Sequence, residues 1–147
     1  MDIPVYVTVE EVKRVCGLLG IRDWTELSEP RVLPEEASRI LAEIDKDGLE
    51  ISPDSFRQGL EVELEHGTRY KSANVTNNHP ILTGKIVLAH LKETLDYYDR
   101  LEVAELEGDI FKAAAAGNPE KLLKLYKKLL QAKLVLSRAE AGRMPQE

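Results

Sequence analysis

With 147 residues the chain has the length of one ordinary domain, and 43% hydrophobic with 31% charged residues excludes a disordered polymer. The net charge of −6 argues against a nucleic-acid partner, because phosphate backbones attract basic surfaces. We find no secretion signal and no apolar run of spanning length, so we expect a cytoplasmic protein without membrane contact. The single cysteine, Cys16, falls at helical spacing with apolar residues, which predicts a buried thiol.

Helix caps and stop signals predict the elements in chain order. Thr8, Ser52 and Asn118 are typical N-cap residues, while Gly20 and Gly67 are typical stops. The predicted helices cover residues 9–19, 34 to about 48, 53–67, 80–107, 109–116 and 119 to about 139, with a break at Gly108 and a possible short strand at 5–7.

These elements predict an all-α fold, a compact bundle of about five helices built around a long central helix, 80–107. We expect one domain over residues 1–147. Its parts are N-terminal helices at 8–48, a core hairpin at 52–107 and a C-terminal helical extension at 109–141.

The third predicted helix places a carboxylate inside its apolar face. At 100° per residue, Glu63 projects within the face that Phe56, Leu60 and Leu64 form, and His66 lies at the edge of that face. The pattern Glu-x-x-His therefore predicts a sheltered carboxylate with an imidazole one turn away.

The fourth predicted helix carries the reverse pattern, His90-x-x-Glu93, followed by Tyr97 on the same projected face. Its opposite face is also apolar, which indicates either a central helix packed on both sides or a face for a partner chain, and we expect a homodimer there. The residues of that face are Leu88, Leu91, Leu95, Tyr98 and Leu106. A simple antiparallel hairpin would leave His90 roughly 10 Å along the axis from Glu63.

A Glu and a His at i and i+3 on facing helices is how metal sites are built inside bundles. Glu63, His66, His90 and Glu93 are therefore candidate ligands of a divalent zinc, iron or manganese ion, with Tyr97 holding one of them in place. The alternative is a buried polar cluster without a metal, in which Glu63 or Glu93 pairs with His90, Tyr97 or Arg100.

Three stretches resemble a family of small uncharacterised proteins of bacteria and their phages, known only as a domain of unknown function. They are residues 56–67 with Glu-Leu-Glu-His-Gly, residues 74–77, and residues 80–101 with Ala-His-Leu-Lys-Glu and Tyr-Tyr. The resemblance implies that the Glu-His and His-x-x-Glu elements belong together, and it carries no known activity. Relative to that family, residues 28–50 look like an insertion and the tail from Asp109 like an extension.

Two functions stay open at this point. The first is a metal-binding helical protein, with or without catalysis, whose substrate the sequence does not identify. The second is a non-catalytic protein–protein interaction module. The lysines of the last predicted helix, from Lys121 to Lys133, are interpreted as a solvated face rather than as a surface for an anionic partner.

Overall fold

The computed structural model describes residues 5–145, and these residues form six α-helices, two short 3₁₀ turns and no strand. The helices are α1 (Val9–Leu19), α2 (Pro34–Ile44), α3 (Pro53–Arg69), α4 (Pro80–Glu93), α5 (Tyr97–Ala115) and α6 (Pro119–Arg143); the 3₁₀ turns are Trp24–Glu26 and Lys71–Ala73. The all-α prediction is confirmed, with six helices instead of about five. The possible strand at 5–7 does not form.

The chain divides into two compact units, residues 1–93 and residues 94–147. In the first unit α2, α3 and α4 pack on one another, and α1 packs on α4. The second unit is the pair formed by α5 and α6. The predicted core hairpin, 52–107, thus has residues in both units.

The predicted long central helix is wrong, because the chain leaves helical geometry between Glu93 and Tyr97. There the Thr94 hydroxyl donates to the Asp96 carboxylate, a local bond of the kind that competes with helix formation. The predicted break at Gly108 is also wrong, since α5 continues through it. A glycine inside a helix costs only about 1 kcal/mol relative to alanine, which the rest of α5 can offset.

A buried ion pair fixes the chain between α1 and α2. The Glu36 carboxylate accepts from the Arg22 side chain at 2.7 and 2.9 Å, from the Arg22 backbone N–H and from the Leu33 backbone N–H. Burial by itself would raise the pKa of Glu36, but these hydrogen bonds hold the pKa below its ordinary value. The ionised carboxylate therefore ties the start of α2 to the segment that follows α1.

Close approach of α4 to α2 depends on Gly84. A Cβ at Gly84 would lie 2.7 Å from Ile40 Cγ2 and 3.0 Å from Ile44 Cδ1, so a larger residue would push the two helices apart. The buried apolar residues of the first unit include Val12, Trp24, Ile40, Phe56, Leu60, Leu64 and Val87. The predicted burial of Cys16 is confirmed.

The second apolar face of α4 is covered within the chain. Of the residues on that predicted face, Leu88 and Leu91 of α4 and Tyr98 of α5 are buried, Leu106 is half-buried, and Leu95 is exposed. The face that motivated a homodimer is therefore mostly unavailable to a second chain. The homodimer stays a prediction without that support.

The second unit is held at both ends of its helix pair. At one end Gly117 adopts a left-handed conformation with φ of 63°, and Asn118 Oδ1 accepts from the Lys121 N–H to cap α6. At the other end the buried Asp96 carboxylate accepts from Arg143 and from Arg100. Burial would raise the pKa of Asp96, but the bonds from Arg143, Thr94 and Arg100 hold it far below its usual range.

Within residues 5–145 no helix is both long enough and apolar enough to cross a membrane.

We predict that Glu36→Ala lowers the free energy of unfolding by about 3 kcal/mol, because it leaves two backbone N–H groups and a guanidinium without their acceptor. Urea denaturation measures the change. Glu35→Ala is the matched control, since Glu35 is the exposed neighbour on the same helix and should change stability by less than about 0.5 kcal/mol. Equal losses in the two variants would contradict the prediction.

Candidate functional site

Helix α3 supplies the first two side chains of the candidate site. It begins where Ser52 Oγ accepts from the Ser55 N–H, with Pro53 at the first helical position. Its buried face leaves the Glu63 side chain only 12% exposed, while the His66 side chain one turn later is 66% exposed. Glu63 is thus sheltered beside the core, and His66 lies at the surface.

Helix α4 supplies the third side chain of the candidate site, His90. A second histidine, His79, immediately precedes the first residue of this helix. His79 is buried, and its Nδ1 accepts from the Leu82 N–H at 3.4 Å. Burial is the largest influence and lowers the pKa of His79; the Glu11 carboxylate raises this pKa by a smaller amount, and the Arg14 guanidinium lowers it slightly further. A neutral His79 imidazole therefore acts as the cap of α4, a role that Ser, Asp or Asn usually fills.

The Glu63 carboxylate lies between two imidazoles. Glu63 Oε2 is 3.6 Å from His66 Nδ1, and Glu63 Oε1 is 3.8 Å from His90 Nε2. These separations are longer than an N–H···O hydrogen bond but short enough for an ion pair when the imidazole is protonated. The structure thus brings together Glu63, His66 and His90, and the axial offset expected for a simple hairpin does not keep His90 from Glu63.

The other two predicted site residues lie at the end of α4 and at the start of α5. Glu93 is the last residue of α4; it is exposed, and no ion pair or hydrogen bond joins it to the other candidates in the described part of the chain. Its predicted position on an inner face is wrong, because α4 ends there. Tyr97 begins α5 in the second unit, where its ring packs edge to face against Tyr98 with centroids 5.2 Å apart. Its role near the Glu63 carboxylate stays a prediction.

An asparagine cluster that the sequence analysis did not identify shapes the connection from α3 to α4. Asn77 and Asn78 are both left-handed, with φ of 48° and 59°. Asn77 Nδ2 donates to the Val7 carbonyl, and Asn78 Nδ2 donates to the Trp24 carbonyl at 3.4 Å. Two successive non-glycine residues in this conformation are uncommon, and asparagine tolerates it best. In the sequence, the two adjacent asparagines before His79 were the pattern that could have indicated this left-handed turn.

The asparagine side chains pack against α3 at Gly67. Asn74 Nδ2 donates to Asn78 Oδ1 at 3.1 Å directly over Gly67. A Cβ on Gly67 would lie 1.8 Å from Asn78 Oδ1 and 2.7 Å from Asn74 Nδ2, distances that no packed structure tolerates. The glycine predicted as a helix stop is instead a contact point inside α3, which continues to Arg69.

Glu63, His66 and Asn74 border a small cleft of about 150 Å³. It is lined by Glu63, His66, Asn74, Thr76, Thr83 and Ile86, among others. A second cleft, of about 420 Å³, shares Gly67 and Asn74 with the first. Its other polar lining residues are Thr25, Glu26, Ser28, Thr68, Lys71, Asn77 and Asn78, and Val9 and Leu27 add apolar surface. The smaller cleft therefore combines a carboxylate, an imidazole, an amide and two hydroxyl groups, a donor set suited to a cation or a polar ligand.

No group of three or more His, Cys, Asp or Glu side chains is arranged to hold a metal ion within residues 5–145. The Glu63, His66 and His90 side chains are neighbours, but their nitrogen and oxygen atoms do not converge on one point in this conformation.

A family model described as "Protein of unknown function (DUF5661)" matches residues 12–107. The match includes most of α1, all of α2, α3 and α4, and the first part of α5, and hence every candidate site residue. Residues 108–147, with α6, lie outside it. No match was found among curated proteins or among solved structures.

We predict that Gly67→Ala destabilises the protein by about 3 kcal/mol, because the added methyl group must displace the asparagine side chains over α3. Thermal or urea unfolding measures the loss. Gly108→Ala is the control, since nothing lies within 4 Å of a Cβ there and alanine favours the helix, so its stability should stay equal or rise. A Gly67→Ala protein as stable as wild type would contradict the prediction, because it would show that the Asn74 and Asn78 side chains can move aside without loss of stability.

We also predict that His79 makes the protein less stable as the pH falls below about 6.5, the ordinary pKa of histidine. Because the pKa of His79 is lowered in the folded chain, the unfolded chain takes up the proton first, and stability falls with pH in that window. Urea denaturation between pH 7.5 and 5 measures the slope. His79→Asn retains a capping oxygen without titrating, so its slope should be smaller; equal slopes would refute the assignment.

Proposed function

The chain belongs to the DUF5661 family, and we propose that it binds a divalent transition metal ion at the Glu63 carboxylate, with His66 and His90 as the other protein ligands. The observation that carries the proposal is the sheltered carboxylate with an imidazole nitrogen within 4 Å of each of its oxygens. Two ligands of one tetrahedral ion with bonds of 2.0 to 2.1 Å lie roughly 3.3 Å apart, close to these separations.

A rotamer change of one ligand, with the other two fixed, would bring the three side chains together around an ion. His66 is mostly exposed, so its side chain can change rotamer without disturbing the core, and it would complete the group by turning toward His90. Glu63 and His90 are more sheltered and would supply the fixed part of the site. Glu93 is not among the proposed ligands, because it is exposed at the end of α4.

The chemistry of this donor set indicates which ions fit. Two imidazoles and one carboxylate suit zinc, iron or manganese, and three protein ligands leave a position for water or a ligand. Asn74 and Thr76 line the same cleft as Glu63 and His66, so they would hydrogen-bond a molecule held at that position. The substrate of a reaction at such a position stays open.

The experiment is zinc titration of protein purified without a histidine tag, followed by calorimetry and by thermal unfolding. Wild type should bind one zinc ion, and at a free concentration about 100 times the Kd the free energy of unfolding should rise by about 2.7 kcal/mol. His90→Gln and Glu63→Gln should lose both effects. Glu65→Gln is the matched control, since Glu65 is on the same helix and pairs with Arg69.

The same variants test the alternative, a polar cluster that serves only structure. In that case wild type carries no stoichiometric metal and its melting temperature is unchanged by a strong chelator. His90→Gln then destabilises equally with and without zinc, because the cost is the loss of a partner for Glu63. That result would overturn the metal proposal and favour the interaction-module hypothesis.

A further inference from the structure

Helix α6 differs in charge from the rest of the chain. It carries seven basic and two acidic side chains, a formal charge of +5, in a chain whose net charge is −6. Two of its cations form ion pairs within the second unit, Lys133 with Glu107 and Arg143 with Asp96. In the described residues no ion pair joins the other five, which are Lys121, Lys124, Lys127, Lys128 and Arg138.

The same helix has two apolar stripes, and only one is buried. Leu125, Leu129 and Ala132 are buried on α6, the helix that pairs with α5. A second stripe remains 44–56% exposed and consists of Leu123, Tyr126, Leu130 and Leu134. Their spacing of three, four and four residues places them along one line of the helix surface. Four adjacent exposed apolar side chains form a patch rather than scattered surface residues.

The unpaired cations lie beside the exposed stripe. At 100° per residue, Lys127 and Arg138 project about 55° and 75° from the centre of the stripe, and Lys124 about 115°. Long basic side chains next to an apolar line can reach past it with their charged ends while their stems cover apolar surface. This arrangement is typical of helices that lie in the headgroup region of an anionic membrane.

We propose that the exposed stripe of α6 docks the protein on an anionic lipid surface, with the leucines and Tyr126 entering the interface and Lys127 and Arg138 contacting phosphate groups. Charge complementarity selects this occupant. A second copy would bring Lys127 and Arg138 of both chains beside the same apolar line, where like charges repel. A single protein helix would cover the stripe but leave the cations farther round α6 without a partner.

The site belongs to the second unit and is independent of the metal proposal, so either can fail alone. The test is co-sedimentation of the full chain with vesicles of equal parts phosphatidylglycerol and phosphatidylcholine, compared with pure phosphatidylcholine. Binding should require phosphatidylglycerol and weaken as the salt concentration rises. Lys127→Gln/Arg138→Gln should weaken it about thirtyfold, since each basic residue near the surface contributes about fivefold.

Matched variants separate the two contributions. Leu130→Gln/Leu134→Gln should lower vesicle binding at least about tenfold with unchanged helicity, because both residues are exposed and their loss leaves the fold intact. Lys71→Gln/Lys85→Gln removes the same charge from exposed positions of the first unit and should bind like wild type. Circular dichroism confirms that each variant is folded.

Four outcomes would overturn the proposal. Equal binding to neutral and anionic vesicles, or no binding to either, excludes an anionic lipid surface. Binding that survives Leu130→Gln/Leu134→Gln excludes the stripe. Sedimentation without vesicles that shows a dimer lost in the same leucine variant assigns the stripe to a second copy of the chain instead.

Discussion

The contact between the asparagine cluster and Gly67 is the constraint on which the first unit depends. Because Gly67 has no side chain, Asn74 and Asn78 can pack directly against α3. Asn74 donates to Asn78, and Asn78 donates to the Trp24 carbonyl. The loop that leads into α4 is thereby fixed against α3 and against the segment after α1. Because His79 then caps α4, the register of α4 against α3 is set before the helix begins. The meeting of Glu63 with His90 follows from that register.

The sequence predicted the elements whose ends have local causes. Thr8, Ser52 and Asn118 accept from backbone N–H groups three residues later, and Gly20 is left-handed, as their types indicate. The break after Glu93 was missed because the local Thr94–Asp96 bond that accompanies it is supported by a distant residue, Arg143 at the end of α6. The residues of the candidate site also fall into those with a local pattern and those with a distant cause. Helical projection found Glu63 and His90, whereas the asparagine cluster depends on contacts with Val7 and Trp24 that no spacing rule reveals.

The two units place different chemistry in different parts of the chain. The first unit concentrates imidazoles, a sheltered carboxylate and amides around small clefts, the setting in which polar groups bind ions or small polar molecules. The second unit offers a long cationic helix with an open apolar line and a shallow surface. The family match ends at residue 107, so the candidate ligands lie inside the matched region and α6 lies outside it. The proposed metal site would therefore be common to the family, whereas the proposed lipid-binding surface of α6 would belong to the part of this chain outside the family match.

The Asp96–Arg143 ion pair has a consequence for how the second unit opens. Helix ends normally fray, so the last turn of α6 and the first turn of α5 would each exchange amide hydrogens quickly. Arg143 contacts both the Asp96 carboxylate and the Thr94 hydroxyl, which ties the final turn of α6 to the first residues of the unit. Opening one end then breaks the bonds of the other. The first turn of α5 and the last turn of α6 should accordingly open as one cooperative unit, so their amide hydrogens should exchange more slowly than those of ordinary helix ends.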